Sequence, residues 1–230
     1  MIYDALRDGA TVFEGESEAN ALAYADEEID DYAPVPWCGY TDWRDVMFKK
    51  GSHQTYEFMA SGGSDKLKYY SSLSYLKQNG IVASSGLERI SGRLNVDYKA
   101  TDKLTLGAKA LFSSVNQDVY SEGTSYTSPF YAVVNAVTPS DPVYNEDGTW
   151  NRDFIRNGDR NPKLANEYNY RREYITRAFN TLYGSYDIIK GLNFKTTLSY
   201  DFSVTKGNRW YDPRTSDGAD YNGALEKSMY

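Results

Sequence analysis

From residue 54 onward, apolar and polar side chains alternate along the chain, which is the period of a β-strand with one apolar face. In 192–205 the even positions are apolar except for one threonine, and every odd position is polar. Residues 89–98 alternate in the same way. Four further strands are predicted over 54–61, 66–76, 104–112 and 173–188. The pattern therefore predicts six strands, several of them longer than the ~5–6 residues usual in globular sheets.

The predicted connections alternate between short and long. Long connections are predicted at 77–88, 117–171 and 206–222, and short ones at 62–65, 99–102 and 190–191. Up-and-down outer-membrane barrels have tight periplasmic turns and long extracellular loops, whereas a soluble sandwich has no reason to sort its loops in this way. Strands of ten or more residues also suit a tilted crossing of a bilayer, which needs ~9–11. We therefore place the long set outside the cell and the short set in the periplasm.

The fold class that follows is all-β: a segment of a large antiparallel transmembrane β-barrel with about six strands present and a short N-terminal helical loop region. In the last strand two sets of side chains define the predicted orientation. Those expected to face lipid are Leu192, Phe194, Leu198, Tyr200 and Phe202. Those expected to face the lumen are Lys195, Thr197 and Asp201.

The first fifty residues break the alternation. Residues 17–32 are rich in alanine and acidic side chains, with Asp26 placed to cap a short helix and Pro34 placed to end it. We expect 1–53 to be an extracellular loop region with a short helix. Residues 54–230 would form the partial barrel with its long extracellular loops.

Composition supports a membrane interface. The chain has 22 Tyr, 9 Phe and 4 Trp, and its mean hydropathy is nevertheless −0.65. Tyrosine joins an apolar ring to a polar tip and is enriched where lipid meets water. The net charge of −7 argues against nucleic acid as a partner. No stretch resembles a transmembrane helix or a signal peptide, and Met1 is interpreted as the boundary of a fragment.

Candidate chemistry is sparse. Cys38 is the only cysteine and His53 the only histidine. A single cysteine excludes an internal disulfide and a cysteine-based zinc site, and no nucleophile-elbow motif is present. Val143 stands where a calcium loop would need its first ligand, so Asp147 and Gly148 predict a tight hairpin turn instead. Acidic pairs such as Glu146 and Asp153 resemble those of glycosidases, but nothing singles one out. We predict no catalytic, cofactor-binding or metal-binding residue.

The long excursion between the fourth and fifth strands also contains aromatic residues. Its apolar run 128–138 predicts a short helix. Aromatic rings in loops can stack on sugars or form the centre of a protein interface, although they can equally pack loops together. The candidate contact residues are Tyr126, Tyr131, Trp150, Trp210 and Tyr211.

A series of short motifs occurs in a fixed order. They are T-D-W at 41–43, S-G-G at 61–63, Y-Y-S-S-L-S-Y-L at 69–76, Q-N-G-I at 78–81, R-I-S-G-R-L-N at 89–95, P-V-Y-N-E-D-G at 142–148, N-P at 161–162 and K-G-L-N-F-K-T at 190–196. Together they resemble the early barrel of SusC/RagA-type TonB-dependent outer-membrane transporters, from about residue 20 to residue 218.

That resemblance implies a barrel of ~two dozen strands around an N-terminal plug in the cell outer membrane. It implies a SusD-like surface lipoprotein as partner, the TonB complex as energy source through upstream residues, and oligosaccharides or peptides as cargo. It implies no enzyme activity and no cofactor. Six strands are fewer than the ~eight of the smallest outer-membrane barrels, so these residues alone are not expected to transport. A non-transporting structural or adhesive surface β-protein is the alternative, and a loop-based glycosidase is a distant third.

Overall fold

The computed structural model describes Arg7, residues 17–32 and residues 40–230. Its helices are α1 (Glu18–Tyr32), α2 (Trp43–Met47), α3 (Pro129–Tyr131, continued by a π-helical turn over Ala132–Ala136), α4 (Pro162–Tyr168) and α5 (Ser216–Ala219). Its strands are β1 (Ser52–Gly63), β2 (Leu67–Asn79), β3 (Gly86–Lys99), β4 (Leu104–Asp118), β5 (Tyr170–Ile189), β6 (Leu192–Tyr211) and β7 (Ala224–Met229). Within these ranges, no helix has both the length and the apolar content to cross a bilayer.

The seven strands form one antiparallel sheet in chain order. The six predicted strands are confirmed, each longer than expected, and over the described residues the sheet is open rather than closed. The prediction of a loop from residue 206 is wrong, because β6 continues to Tyr211. Lys206 and Asn208 fall on the apolar side and end the alternation there, while backbone pairing with β7 continues. Strand β7 was not predicted, since it is short and Lys227 interrupts its apolar side.

Strand register divides the sheet into two faces. One cross-strand row reads Phe58, Leu73, Gly92, Phe112, Ala178 and Phe202. The adjacent row on the other side reads Met59, Ser72, Arg93, Leu111, Phe179 and Asp201. We call these sides the apolar face and the polar face, although the polar face includes some apolar residues. The predicted split of 192–205 into two faces is confirmed, whereas the medium each face contacts stays a prediction.

The connections alternate in length as predicted. Short turns at 64–66, 100–103 and 190–191 take turns with longer connections at 80–85, 119–169 and 212–223. The connection at 80–85 is shorter than predicted, because β2 and β3 extend further towards each other. The side of the membrane on which each set lies stays a prediction.

The chain divides into two compact units. One combines residues 1–47 with 121–165, and we call its described part the loop unit; the other, the sheet unit, combines 48–120 with 166–230. The predicted boundary at residue 53, between an extracellular loop region and the partial barrel, stays a prediction.

Helix α1 starts earlier than expected. The Ser17 hydroxyl accepts a hydrogen bond from the Asn20 N–H at 3.3 Å, a contact typical of a helix N-cap. Asp26 is therefore inside the helix, and its predicted capping role is wrong. Pro34 and Cys38 lie outside the described residues.

Candidate functional site

The loop unit is built around Trp43, which α2 places in its interior. The indole N–H donates to the backbone carbonyl of Asp141 at 3.0 Å, and the ring packs against Phe154 with centroids 5.7 Å apart. Nearby, the Thr41 N–H donates to the carbonyl of Pro139 at 2.9 Å. The T-D-W segment and the long excursion therefore share one core, despite their separation in sequence.

Asp141 is a buried carboxylate at the centre of that core. One carboxylate oxygen accepts hydrogen bonds from the backbone N–H and the hydroxyl of Thr138, at 2.6 and 2.9 Å. The other accepts from the backbone N–H of Ile155 at 3.1 Å. Burying a charge is costly unless hydrogen bonds satisfy it, and here the chain itself supplies them. Asp141 therefore fixes the path of the excursion.

Asn161 joins three parts of the excursion. Its side-chain amide donates to the carbonyls of Val143 and Asn151 at 3.1 and 2.9 Å. Its side-chain oxygen accepts from the N–H of Leu164 at 3.1 Å, which caps α4, while Pro162 occupies the first helical position. The N-P motif is thus a helix start that also ties down the preceding turn. We call Trp43, Asp141, Asn151, Phe154 and Asn161 the loop core.

The predicted hairpin turn is confirmed within the P-V-Y-N-E-D-G motif. Tyr144 and Trp150 pair across it, and their rings lie 4.6 Å apart. Gly148 has φ = 80°, a conformation that favours glycine. The hydroxyl and N–H of Thr149 donate to Asp147 at 2.6 and 2.9 Å, and these bonds lower the pKa of the Asp147 carboxyl. The acidic residues of this motif therefore shape a turn.

The loop-unit members of the predicted contact set are half-buried. Tyr126 lies beneath the guanidinium of Arg160 at 5.9 Å, and Trp150 packs on Tyr144. Tyr131 lies in α3. The role of these aromatic residues in contacting a cargo or a partner stays a prediction.

Trp210 and Tyr211 belong to the sheet unit and are adjacent on β6, so their side chains point to opposite faces. Trp210 is on the apolar face, where its ring lies against Gly223. Tyr211 is on the polar face, with the guanidinium of Arg209 4.8 Å from its ring centroid. The structure does not bring these two aromatic residues onto one surface, and their contact role stays a prediction.

More exposed apolar residues were missed in the loop unit. Phe130 and Val134 are 47% and 73% exposed, and they lie about one helical turn apart, whereas Ala132 and Ala136 are buried. Tyr144 is also exposed. The four-residue spacing within 128–138 was the available signal, because it separates an inward face from an outward one.

The polar face carries ordered side-chain contacts. Arg177 binds Asp201 through two hydrogen bonds, at 3.1 and 2.5 Å. The Tyr183 hydroxyl donates to Asp97 at 2.5 Å from two strands away. The Tyr183 ring crosses β4 at Gly107, where any added Cβ would collide with it. Such a face can line a water-filled path.

The apolar face has distinct ends. Near the short turns it carries Tyr69, Tyr98, Tyr186 and Phe194. At the opposite end are two ion pairs, Lys77 with Glu88 at 2.8 Å and Arg172 with Asp118 at 2.7 Å.

The separation of these ends can be estimated on β3. From Tyr98 to Glu88 the strand covers ~33 Å at ~3.3 Å per residue, which is ~25 Å of height at a tilt of ~40°. That is the height of the apolar band of a transmembrane barrel.

In the described part of the chain, no three His, Cys, Asp or Glu residues are grouped so that they could hold a metal ion.

Sequence comparison finds bacterial receptors. TonB-dependent receptor P3 of Formosa agariphila is 31% identical over 188 residues, covering 80% of this chain and 19% of the receptor. TonB-dependent receptor P26 of the same organism is 29% identical over 206 residues, covering 84% and 20%. TonB-dependent receptor SusC of Bacteroides thetaiotaomicron is 29% identical over 128 residues, covering 54% and 12%. No family model matches.

Solved structures with the same fold include the RagAB peptide importer in its closed-closed state. The TM-score is 0.62 at 20% identity, with 93% of this chain and 24% of that chain covered. The RagAB peptide transporter gives 0.62 at 19% identity, with 94% and 27% covered. At such identity the likeness establishes the fold. This chain spans about a fifth of the length of the first curated relatives it matches. Sequence and fold together show that it is a barrel segment of a SusC/RagA-type TonB-dependent receptor.

Proposed function

We propose that the chain forms part of the barrel wall and extracellular loops of an outer-membrane importer, which takes up oligosaccharides or peptides together with a SusD-like surface lipoprotein. The observation that carries this proposal is the two-faced sheet. Its apolar face is bounded by aromatic residues at one end and by ion pairs at the other, while its polar face holds ion pairs and hydrogen bonds. The names of the relatives, receptors and peptide importers rather than enzymes, support the same reading.

In this proposal the two faces have different tasks. The apolar face contacts lipid, and the polar face lines the path of the cargo. Energy comes from the TonB complex through a plug domain encoded upstream of these strands. The barrel segment itself supplies no chemistry, only a wall that is hydrophilic inside and apolar outside.

The loop unit is proposed to contact the lipoprotein or the cargo. Its support is a buried polar core together with an exposed apolar pair, Phe130 and Val134. A surface held by such a core is pre-organised, so binding it costs less ordering entropy. The predicted contacts Tyr126, Tyr131 and Trp150 would complete this surface. Trp210 and Tyr211, on opposite faces of β6, are proposed as separate contacts.

The import function is tested by deleting the receptor gene. The mutant should fail to grow on one oligosaccharide or peptide source that supports the parent, and the full-length gene should restore growth. Growth equal to the parent on every such source would refute import and favour the structural or adhesive alternative.

The loop contact is tested in full-length receptor by the double variant Phe130→Asp and Val134→Asp. Charges on an apolar contact surface should reduce recovery of the lipoprotein, or growth on the cargo, at least tenfold without changing surface expression. Asn135→Asp is the matched control, because it adds a charge to an exposed neighbour on the same turn. Unchanged lipoprotein recovery and growth in the double variant would refute the contact.

A further inference from the structure

A cleft of about 390 Å³ opens in the sheet unit where β5, β6 and β7 meet. Register places two rows of residues around it: Arg171, Arg209 and Glu226 in one, and Glu173, Gly207 and Ser228 in the next. Gly207 lies buried between the rows and has no side chain. A Cβ there would lie 2.5 Å from the Ser228 hydroxyl oxygen. Any side chain at position 207 would therefore displace Ser228, so the shape of the cleft depends on this glycine.

The two glutamates of the cleft differ in burial and in the hydrogen bonds that they make within the protein. The Glu173 side chain is only 14% exposed, and it accepts hydrogen bonds from Arg171 at 2.8 Å and from Gln117 at 3.0 Å. Its charge is therefore used within the protein, where it holds Arg171 in place. Glu226, in contrast, is exposed.

Arg209 is held in another way. Its guanidinium carbon lies 4.8 Å from the centroid of the Tyr211 ring. The N–H groups of a guanidinium are the part of arginine that matches a carboxylate. Glu226 is directly opposite Arg209 in register. The cleft thus presents a cationic fork and a carboxylate side by side.

We propose that this cleft is a cargo subsite for a zwitterionic group, binding a carboxylate at Arg209 and Arg171 and an ammonium at Glu226. The cargo class it fits is a short peptide with free charges. The inference rests on the proposed import function and narrows its cargo from glycan or peptide to peptide.

The mixed charges of the cleft and the covered face of the Tyr211 ring favour a peptide over a glycan. Three cations, Lys227 among them, and two glutamates line the cleft, so a polyanionic sugar would meet Glu226 as well as the cations. A neutral sugar binds best on an open aromatic face, and Arg209 covers one face of Tyr211. A carboxylate with an ammonium nearby satisfies both kinds of charge.

The test uses purified full-length receptor and isothermal titration. The probes are tetra-alanine with free ends, its N-acetylated form, its C-amidated form, maltoheptaose and oligogalacturonate. Arg209→Gln and Glu226→Gln should each weaken binding of the free peptide about tenfold or more. Lys109→Gln, an exposed cation on the same face of β4, is the matched control and should change nothing.

The modified peptides assign each charge. Acetylation removes the ammonium of the peptide, so Glu226→Gln should not weaken binding of the acetylated peptide any further. Amidation removes the carboxylate charge, so Arg209→Gln should not weaken binding of the amidated peptide any further. Gly207→Val, whose Cβ would displace Ser228, should weaken all peptide binding. If both charge variants bind the free peptide as wild type does, the proposal is overturned.

Other outcomes would also overturn the proposed subsite. Tighter binding of oligogalacturonate, sensitive to Arg209→Gln but not to Glu226→Gln, would overturn the zwitterion in favour of a carboxylate sugar. Absence of any peptide binding to wild-type receptor would overturn the subsite. The import function is measured separately by growth, so cells that grow through this receptor on oligosaccharide alone would retain the function and lose the subsite.

Discussion

Replacing Leu198 by Arg should destabilise the full-length barrel by about 2–4 kcal/mol, while Thr197→Arg should cost much less. Leu198 is 71% exposed on the apolar face, directly opposite Leu182. Thr197 is its neighbour on the polar face, opposite Tyr183. The two variants introduce the same side chain one residue apart, so the difference between them reports which face contacts lipid.

The magnitude follows from depth in the apolar band. From Leu192 to Leu198 the strand advances ~20 Å at ~3.3 Å per residue, or ~15 Å of height at a tilt of ~40°. That position is near the middle of a band ~25 Å tall, where an arginine is most costly. Phe194 lies only ~5 Å above the same end, where the cost falls to ~0–1 kcal/mol. Phe194→Arg should therefore be tolerated better than Leu198→Arg.

The assay is urea unfolding of the full-length receptor refolded into lipid vesicles, read by gel mobility of the folded form. Free energies of unfolding for the three variants should rank with Leu198→Arg lowest. A cost at Thr197 equal to or above that at Leu198 would refute the assignment of faces. Equal costs at Phe194 and Leu198 would refute the depth argument and leave the faces intact.

Asn161→Ala should lower the stability of the loop unit by about 2 kcal/mol, seen as faster amide exchange there with the sheet unchanged, because a helix cap and two buried carbonyls lose their partner. The Arg214 guanidinium lowers the pKa of the Asp212 carboxyl to about 2. The ion pair should therefore be complete above pH ~4 and weaken as the pH falls to ~2, which amide exchange in 212–219 would measure. Asp212→Asn should abolish this pH dependence. Epitope tags at Asp147 should stain on intact cells and tags at Ala100 only after permeabilisation; the reverse would overturn the topology.

The strands could be predicted because a sheet with one apolar and one polar face imposes alternation over long runs. Their ends could not, because beyond the apolar band the sheet continues through backbone pairing alone. Strand β6 shows this at Lys206 and Asn208, which are polar on the apolar side but remain paired with β7. The same reason explains why the connection at 80–85 is shorter than the sequence indicated.

The loop unit could not be predicted from local pattern, because contacts between distant residues define it. Trp43 and Asp141 are 98 residues apart, and no periodicity connects them. Aromatic residues were selected by type, but their exposure depends on this packing, which leaves Trp150 half-buried and Val134 open. The turn at Gly148 was predictable, since glycine at positive φ is a local requirement.

The loop motifs that carry the family resemblance converge on the loop core. The tryptophan of T-D-W binds the Asp141 carbonyl, the valine of P-V-Y-N-E-D-G accepts from Asn161, and the asparagine of N-P is Asn161 itself. Side chains that hold a core are constrained by packing, whatever the cargo. The exposed residues between them, such as Phe130 and Val134, carry no such constraint. Resemblance in these loops therefore reports a shared scaffold, and residues that choose a cargo or partner should be sought on the exposed turns and in the cleft at Gly207.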